Sequence, residues 1–214
     1  MPKLFNEEVQ GQIKEILAQA KENITLVLFT KEGSCPTCSE TKQLLEEVSE
    51  LSDKISLEVK DLNKDQAVAK KYGITLTPSF VLLDAKGNYQ GVKFNGIPAG
   101  HEINSFMSAL LEMSGMTPKF HDNILKRIKK IEKPVNIKVF ITLGCPHCPG
   151  AVQNAHRLAM LNEHIEGEMI EAQTFSELSN KFNVSGVPKI VINDTHELVG
   201  NQPIEAFLDQ LESL

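Results

Sequence analysis

Apolar and polar residues alternate between two periods along this chain, and the changes of period mark its elements. From Asn6 to Glu22 the apolar residues Val9, Ile13, Ile16, Leu17 and Ala20 recur at helical spacing. Asn6 suits an N-cap and Glu7 and Glu8 suit a first turn, so an amphipathic helix is predicted over 6–22. Ile24 to Thr30 is almost wholly apolar and reads as a strand buried on both faces. A helical run with Leu44, Leu45 and Val48 follows, reaching about Leu51, and then a strand from Ile55 to Asp61. Gln66 to Tyr72 is predicted as a short helix ended by Gly73, and Pro78 to Leu83 as a strand. Lys86-Gly87-Asn88 forms a hairpin turn into a strand reaching Phe94, and a helix runs from about His101 to Met113.

After Ser114-Gly115 the series repeats. A helix is expected from Thr117-Pro118, with Phe120, Ile124, Leu125, Ile128 and Ile131 inward, and then a strand from Val135 to Thr142. A helix with Val152, Ala155, Leu158 and Ala159 on one face follows, then a strand at about Glu168 to Ala172 and a helix from Thr174 to Phe182. Pro188 opens another strand, and the last helix covers Pro203 to Leu214. Like falls on like at an offset of 110: Val27 on Ile137, Phe29 on Val139, Cys35 on Cys145, Tyr72 on Phe182, Pro78 on Pro188. A register held over such a distance marks an internal duplication, with units expected at 1–115 and 116–214.

With 214 residues and 41% hydrophobic content, each unit can form a core of its own. The formal net charge of −6 argues against nucleic acid as a partner, and the basic run Lys126 to Lys130 reads as a solvated helix face. No leader-like start and no apolar run of membrane-spanning length is visible, so the expectation is a cytoplasmic protein with no membrane partner.

The chemistry lies in the cysteines. All four fall in two C-x-x-C tetrapeptides, Cys35-Pro36-Thr37-Cys38 and Cys145-Pro146-His147-Cys148, each between a strand and a helix. Pro36 and Pro146 fit the first helical turn, which would put Cys35 and Cys145 among free backbone N–H groups that favour the thiolate. Cys35 and Cys145 are therefore read as the exposed attacking thiols, with Cys38 and Cys148 as the resolving ones. Thr37 and His147 would tune their neighbours, an imidazolium beside Cys145 stabilising its thiolate. Asp61 and Glu171, also 110 apart, are possible proton acceptors for the resolving thiols, although strand-end surface residues are the plainer reading. His101, His121, His156, His164 and His196 show no ligand-like grouping. A shared zinc site is disfavoured because a whole unit separates the two cysteine pairs.

The element order resembles the thioredoxin fold, so the class expected is α/β, two tandem units each with a mixed sheet flanked by helices. The motifs resemble more narrowly the protein disulfide oxidoreductases of thermophilic archaea and bacteria. They are the two tetrapeptides with Pro149 and Ala155-His156, the stretch Gly96-Ile97-Pro98-Ala99-Gly100-His101-Glu102, and Val187-Pro188-Lys189-Ile190-Val191-Ile192. That resemblance implies reduction, formation or isomerisation of disulfides in protein substrates. It also implies cis bonds at Thr77-Pro78 and Val187-Pro188, in loops that receive a substrate strand. No haem, flavin or nicotinamide motif is visible, so electrons would come from a partner, by analogy a thioredoxin-reductase-like flavoprotein. The alternative is a dedicated electron-transfer module between such a flavoprotein and a peroxidase.

Overall fold

The computed structural model describes residues 2–214. Its elements in order are α1 (Glu7–Leu17), β1 (Ile24–Thr30), α2 (Cys38–Glu50), β2 (Ile55–Asp61), α3 (Gln66–Lys71), β3 (Ser79–Leu83), β4 (Tyr89–Asn95) and α4 (Ile103–Met113). They continue as α5 (Asp122–Lys129), β5 (Val135–Ile141), α6 (Cys148–Leu161), β6 (Ile165–Glu171), α7 (Ser176–Lys181), β7 (Lys189–Ile192), β8 (His196–Val199) and α8 (Ile204–Leu211). A 3₁₀ turn, Gly100–Glu102, leads into α4. The eight strands form one mixed sheet in the order β2-β1-β3-β4-β6-β5-β7-β8. Apolar residues of α1, α2, α4, α5, α6 and α8 pack in one large core on one face. On the other face, α3 and α7 cover two smaller clusters, around Phe29 and Tyr72 and around Phe140 and Phe182.

Several elements differ from their expected bounds. α1 stops at Leu17, because Gln19 and Ala20 donate i→i−3 bonds to Ile16 and Leu17 that tighten the last turn. α5 begins at Asp122, not Thr117, and the extended lead-in lets Phe120 pack against the core from outside the helix. β6 begins at Ile165, three residues early, because Glu166 and Glu168 face polar partners within the sheet and so look like loop residues in the sequence.

The two halves meet where β4 and β6 pair in parallel, with Val92 registered to Gly167 and Asn95 to Ile170. Alternation puts Lys93 and Asn95 on the same face as Glu166 and Glu168. Lys93 Nζ lies 2.5 Å from Glu166, and Asn95 Nδ2 donates to Glu168 at 2.8 Å. Glu168 also accepts from Asn136 at 2.5 Å. Across the opposite face, His156 Nε2 meets the Lys93 carbonyl at 3.2 Å, and Arg157 donates to Glu112 at 2.7–3.1 Å. His156 is buried at 1% exposure, and burial pushes its pKa down to about 4, so it packs neutral against Phe94.

Candidate active sites

Both tetrapeptides close as disulfides, Cys35–Cys38 and Cys145–Cys148, with Cα separations of 5.4 and 5.5 Å. Each forms a turn ahead of its helix. Cys38 N–H donates to the Cys35 carbonyl at 3.3 Å, and Thr37 and His147 are the N-cap residues of α2 and α6. Pro36 and Pro146 therefore stand one residue before the cap and not within the first helical turn. The proline inside the helix start is Pro149. Cys38 and Cys148 are the first helical residues, and Cys35 and Cys145 hang just beyond the helix ends.

The strand directions bring these parts together. β1 is antiparallel to β3, β3 to β4, and β4 is parallel to β6, which is parallel to β5. β1 and β5 thus point the same way, and both dithiols emerge at one edge of the sheet on the large-core face. β3 and β7 run the opposite way and begin at that edge. The Thr77–Pro78 and Val187–Pro188 bonds that precede them are both cis. Ser79 is registered to Phe29 and Lys189 to Phe140, so each proline flanks the strand end that delivers its dithiol. Gly96 N–H donates to the Pro78 carbonyl and Gly200 N–H to the Pro188 carbonyl, each at 2.9 Å. A cavity of about 870 Å³ opens at the opposite edge, among Tyr89, Asn136, His164 and Glu166, and touches neither dithiol.

The two sites are not equally open. Cys35 and Cys38 are half-buried behind an exposed loop, Lys31–Ser34. Cys145, expected to be exposed, is 8% exposed, and Cys148 is 0%. Two distant segments shelter this second site. The connection from β4 to α4 reaches across from the first half, where His101 N–H donates to the Leu143 carbonyl at 3.0 Å. Gly100, at φ +58, lies so close to that same carbonyl that a Cβ would collide with it. From the other side Asn201 packs on Gly150, and Asn154 donates to the Gln202 carbonyl at 3.0 Å. His147 is exposed, so water screens most of its field at Cys145.

Asp61 and Glu171 turn out to organise the loops after β2 and β6. Asp61 accepts from the N–H groups of Asn63 and Lys64 at 2.9 and 3.0 Å. Desolvation works upward on its carboxyl, but those hydrogen bonds and the Lys64 charge hold it below its usual value. Glu171 is buried and accepts from Thr174 N–H and Oγ1, both at 2.6 Å. The carboxyl that sequence reading overlooked is Glu102. It is 0% exposed at the end of the 3₁₀ turn that packs on α6. Its Oε2 accepts from Ser105, its Oε1 has no partner among the described residues, and burial pushes its pKa up to about 7. A signal was present: Glu102 continues the buried helical stripe of Phe106, Leu110 and Met113.

The energetic sign for Glu102 follows from that shift. The folded-state pKa is above the unfolded one, so the stability it lends is complete below pH 4.5 and is lost as pH rises through 7. Glu102→Gln is expected to melt higher than the parent chain at pH 8 and to lose that advantage by pH 5, with a full swing of about 3 kcal/mol. Parallel melting curves across that range would refute the buried acid.

Residues 9–110 match the family described as a thioredoxin-like domain, and residues 135–213 the one described as a thioredoxin domain. The F subunit of alkyl hydroperoxide reductase from Staphylococcus aureus (strain NCTC 8325 / PS 47) is 33% identical over 210 residues, 98% of this chain. The chain spans 38% of the length of that curated relative. The crystal structure of the NTD N/C domain of the alkylhydroperoxide reductase AhpF from Enterococcus faecalis (V583) is 33% identical, with a TM-score of 0.91 over 97% of this chain and 99% of that one. The crystal structure of a protein disulfide oxidoreductase from Aeropyrum pernix k1 is 28% identical, with a TM-score of 0.90 over 97% of this chain and 92% of that one.

Proposed function

Because the chain belongs to the protein disulfide oxidoreductase family, with its tandem thioredoxin folds, we propose that it reduces, forms and isomerises disulfides in other proteins through two dithiols. The observation that carries this is that each C-x-x-C, at the end of β1 or β5, stands at one sheet edge beside the X-Pro dipeptide that opens the antiparallel neighbour β3 or β7. Units of 1–115 and 116–214 fit the reading, meeting at the β4–β6 seam. Cys35 and Cys145 attack the substrate disulfide and form the mixed disulfide. Cys38 and Cys148, each at the first helical position, resolve it. A substrate strand laid against Thr77-Pro78 or Val187-Pro188 would run beside the attacking sulfur.

At the second site the resolving thiol is fully buried and must lose its proton before it can attack. Glu102, a buried carboxyl with one unpartnered oxygen on the turn that packs against α6, is the residue we assign as acceptor. Electrons would come from a flavoprotein reductase, and the reducing cytoplasm is the compartment in which such a dithiol pair would be turned over.

A second reading, delivery of electrons from such a flavoprotein to a peroxidase, draws support from the similarity to the F subunit of alkyl hydroperoxide reductase. Insulin separates the two. The fully reduced chain is expected to reduce insulin disulfides catalytically with dithiothreitol as donor, and a chain inert toward insulin would leave only the second reading.

A further inference from the structure

The sheet order sets how far apart the two dithiols stand. From β1, which delivers Cys35, the sheet passes through β3, β4 and β6 before reaching β5, which delivers Cys145. Four strand steps of about 4.8 Å amount to roughly 19 Å. The helix layer follows the same order. α2 lies over β2 and β1, α6 lies over β6, β4 and β5, and α4 stands between them on β3 and against α6. A thiolate must approach to about 3–3.5 Å from the sulfur it attacks, so the gap is several times too wide.

Closing it would require the halves to fold onto one another, and the seam opposes that. The backbone ladder from Val92 to Asn95 against β6 is flanked on one face by Lys93–Glu166 and Asn95–Glu168, and on the other by Arg157–Glu112 and His156. The Lys93 side chain is 3% exposed, so opening the seam would strand a buried charge. The second dithiol is also held from the first half, through His101 and Leu143.

Resting on the oxidoreductase reading above, we propose that the two dithiols do not exchange electrons within one chain. They equilibrate only when the first dithiol of one copy meets the second dithiol of another copy. In that encounter the Cys35 thiolate of one copy attacks Cys145 of the other, and the Cys145–Cys148 bond breaks. Cys148 leaves as a thiolate and takes up a proton. Cys38, having given up its proton, then attacks Cys35, closes the Cys35–Cys38 bond and releases Cys145. Two electrons and two protons pass from the first dithiol to the second, and the same steps run in reverse. Cys35 is the half-exposed partner, and Cys145 is the one sulfur of the second site that reaches the surface at all.

The test follows the native chain after one equivalent of dithiothreitol and rapid desalting, with acid quenching, alkylation and mass mapping of the four cysteines. Relaxation between the sites is expected to slow about a hundredfold on hundredfold dilution and to extrapolate to zero rate. The bimolecular constant measured by mixing two single-dithiol variants, Cys145→Ser/Cys148→Ser reduced and Cys35→Ser/Cys38→Ser oxidised, should account for it. A rate independent of dilution would overturn the proposal, as would two single-dithiol variants that react with glutathione disulfide but never with each other. Failure of both variants to react with glutathione disulfide would instead sink the oxidoreductase reading itself.

Discussion

Replacing Cys148 by serine is expected to leave the second site covalently attached to its substrate. With Cys35 and Cys38 also replaced, so that only this site can act, turnover should fall by roughly a thousandfold or more. Mixed disulfides through Cys145 should accumulate and be visible on non-reducing gels. The asymmetry comes from placement. Cys148 is fully buried at the first position of α6, where only the sulfur of Cys145 can reach it, whereas Cys145 lies beyond the helix end. Cys145→Ser in the same background should be equally inactive but form no adduct. Adducts with the Cys145 variant and none with the Cys148 variant would exchange the two roles.

The largest effect on stability is expected at Gly91. It sits in β4 at φ +75, where L side chains are strained, and a Cβ there would collide with the backbone carbonyl of Ile165 at the start of β6. Gly91→Val sets two backbones against a side chain that cannot yield, which belongs among the substitutions that cost about 4 kcal/mol or more. A fall in melting temperature of roughly 10 °C follows for a chain of this size. Gly87→Ala supplies the contrast: it has a similar φ of +77 in the hairpin turn, but an added Cβ would meet nothing within 4 Å, so only backbone strain is introduced. That variant should lose about 1 kcal/mol. Equal losses in the two variants would mean that close packing at the seam is not what Gly91 protects.

The sequence was most legible where the physics is local. β1 and β2 run over their expected residues, β1 because it is an almost continuous apolar run and β2 because Ile55, Leu57 and Val59 alternate with polar neighbours at strand period. The duplicated cysteines and prolines were equally plain, since covalent chemistry and a missing N–H demand particular residue types. What lay hidden came from contacts between distant segments. Lys93, Asn95, Glu166 and Glu168 look like solvent-facing residues until the two halves are placed side by side. The shelter over Cys145 is built from residues 99–102 and 200–202, and no periodicity around Cys145 announces it. Glu102 was disguised by its type: a carboxyl in an apolar stripe reads as a helix-start acid until its burial is seen.

The seam also has a bearing on the order in which the chain assembles. Pairing Val92 with Gly167 closes a loop of about 75 residues, longer than any strand pair within either half. Loop-closure entropy must be met before such a distant pair contributes anything, whereas each half can collect its own helix and strand contacts first. The seam is therefore expected to close after the transition state for folding, with little of its structure present at the barrier. A loosened seam such as that of Gly91→Val should raise the unfolding limb of the chevron and leave the folding limb nearly in place. Long life of the folded chain, more than its speed of formation, is what the β4–β6 pairing then provides.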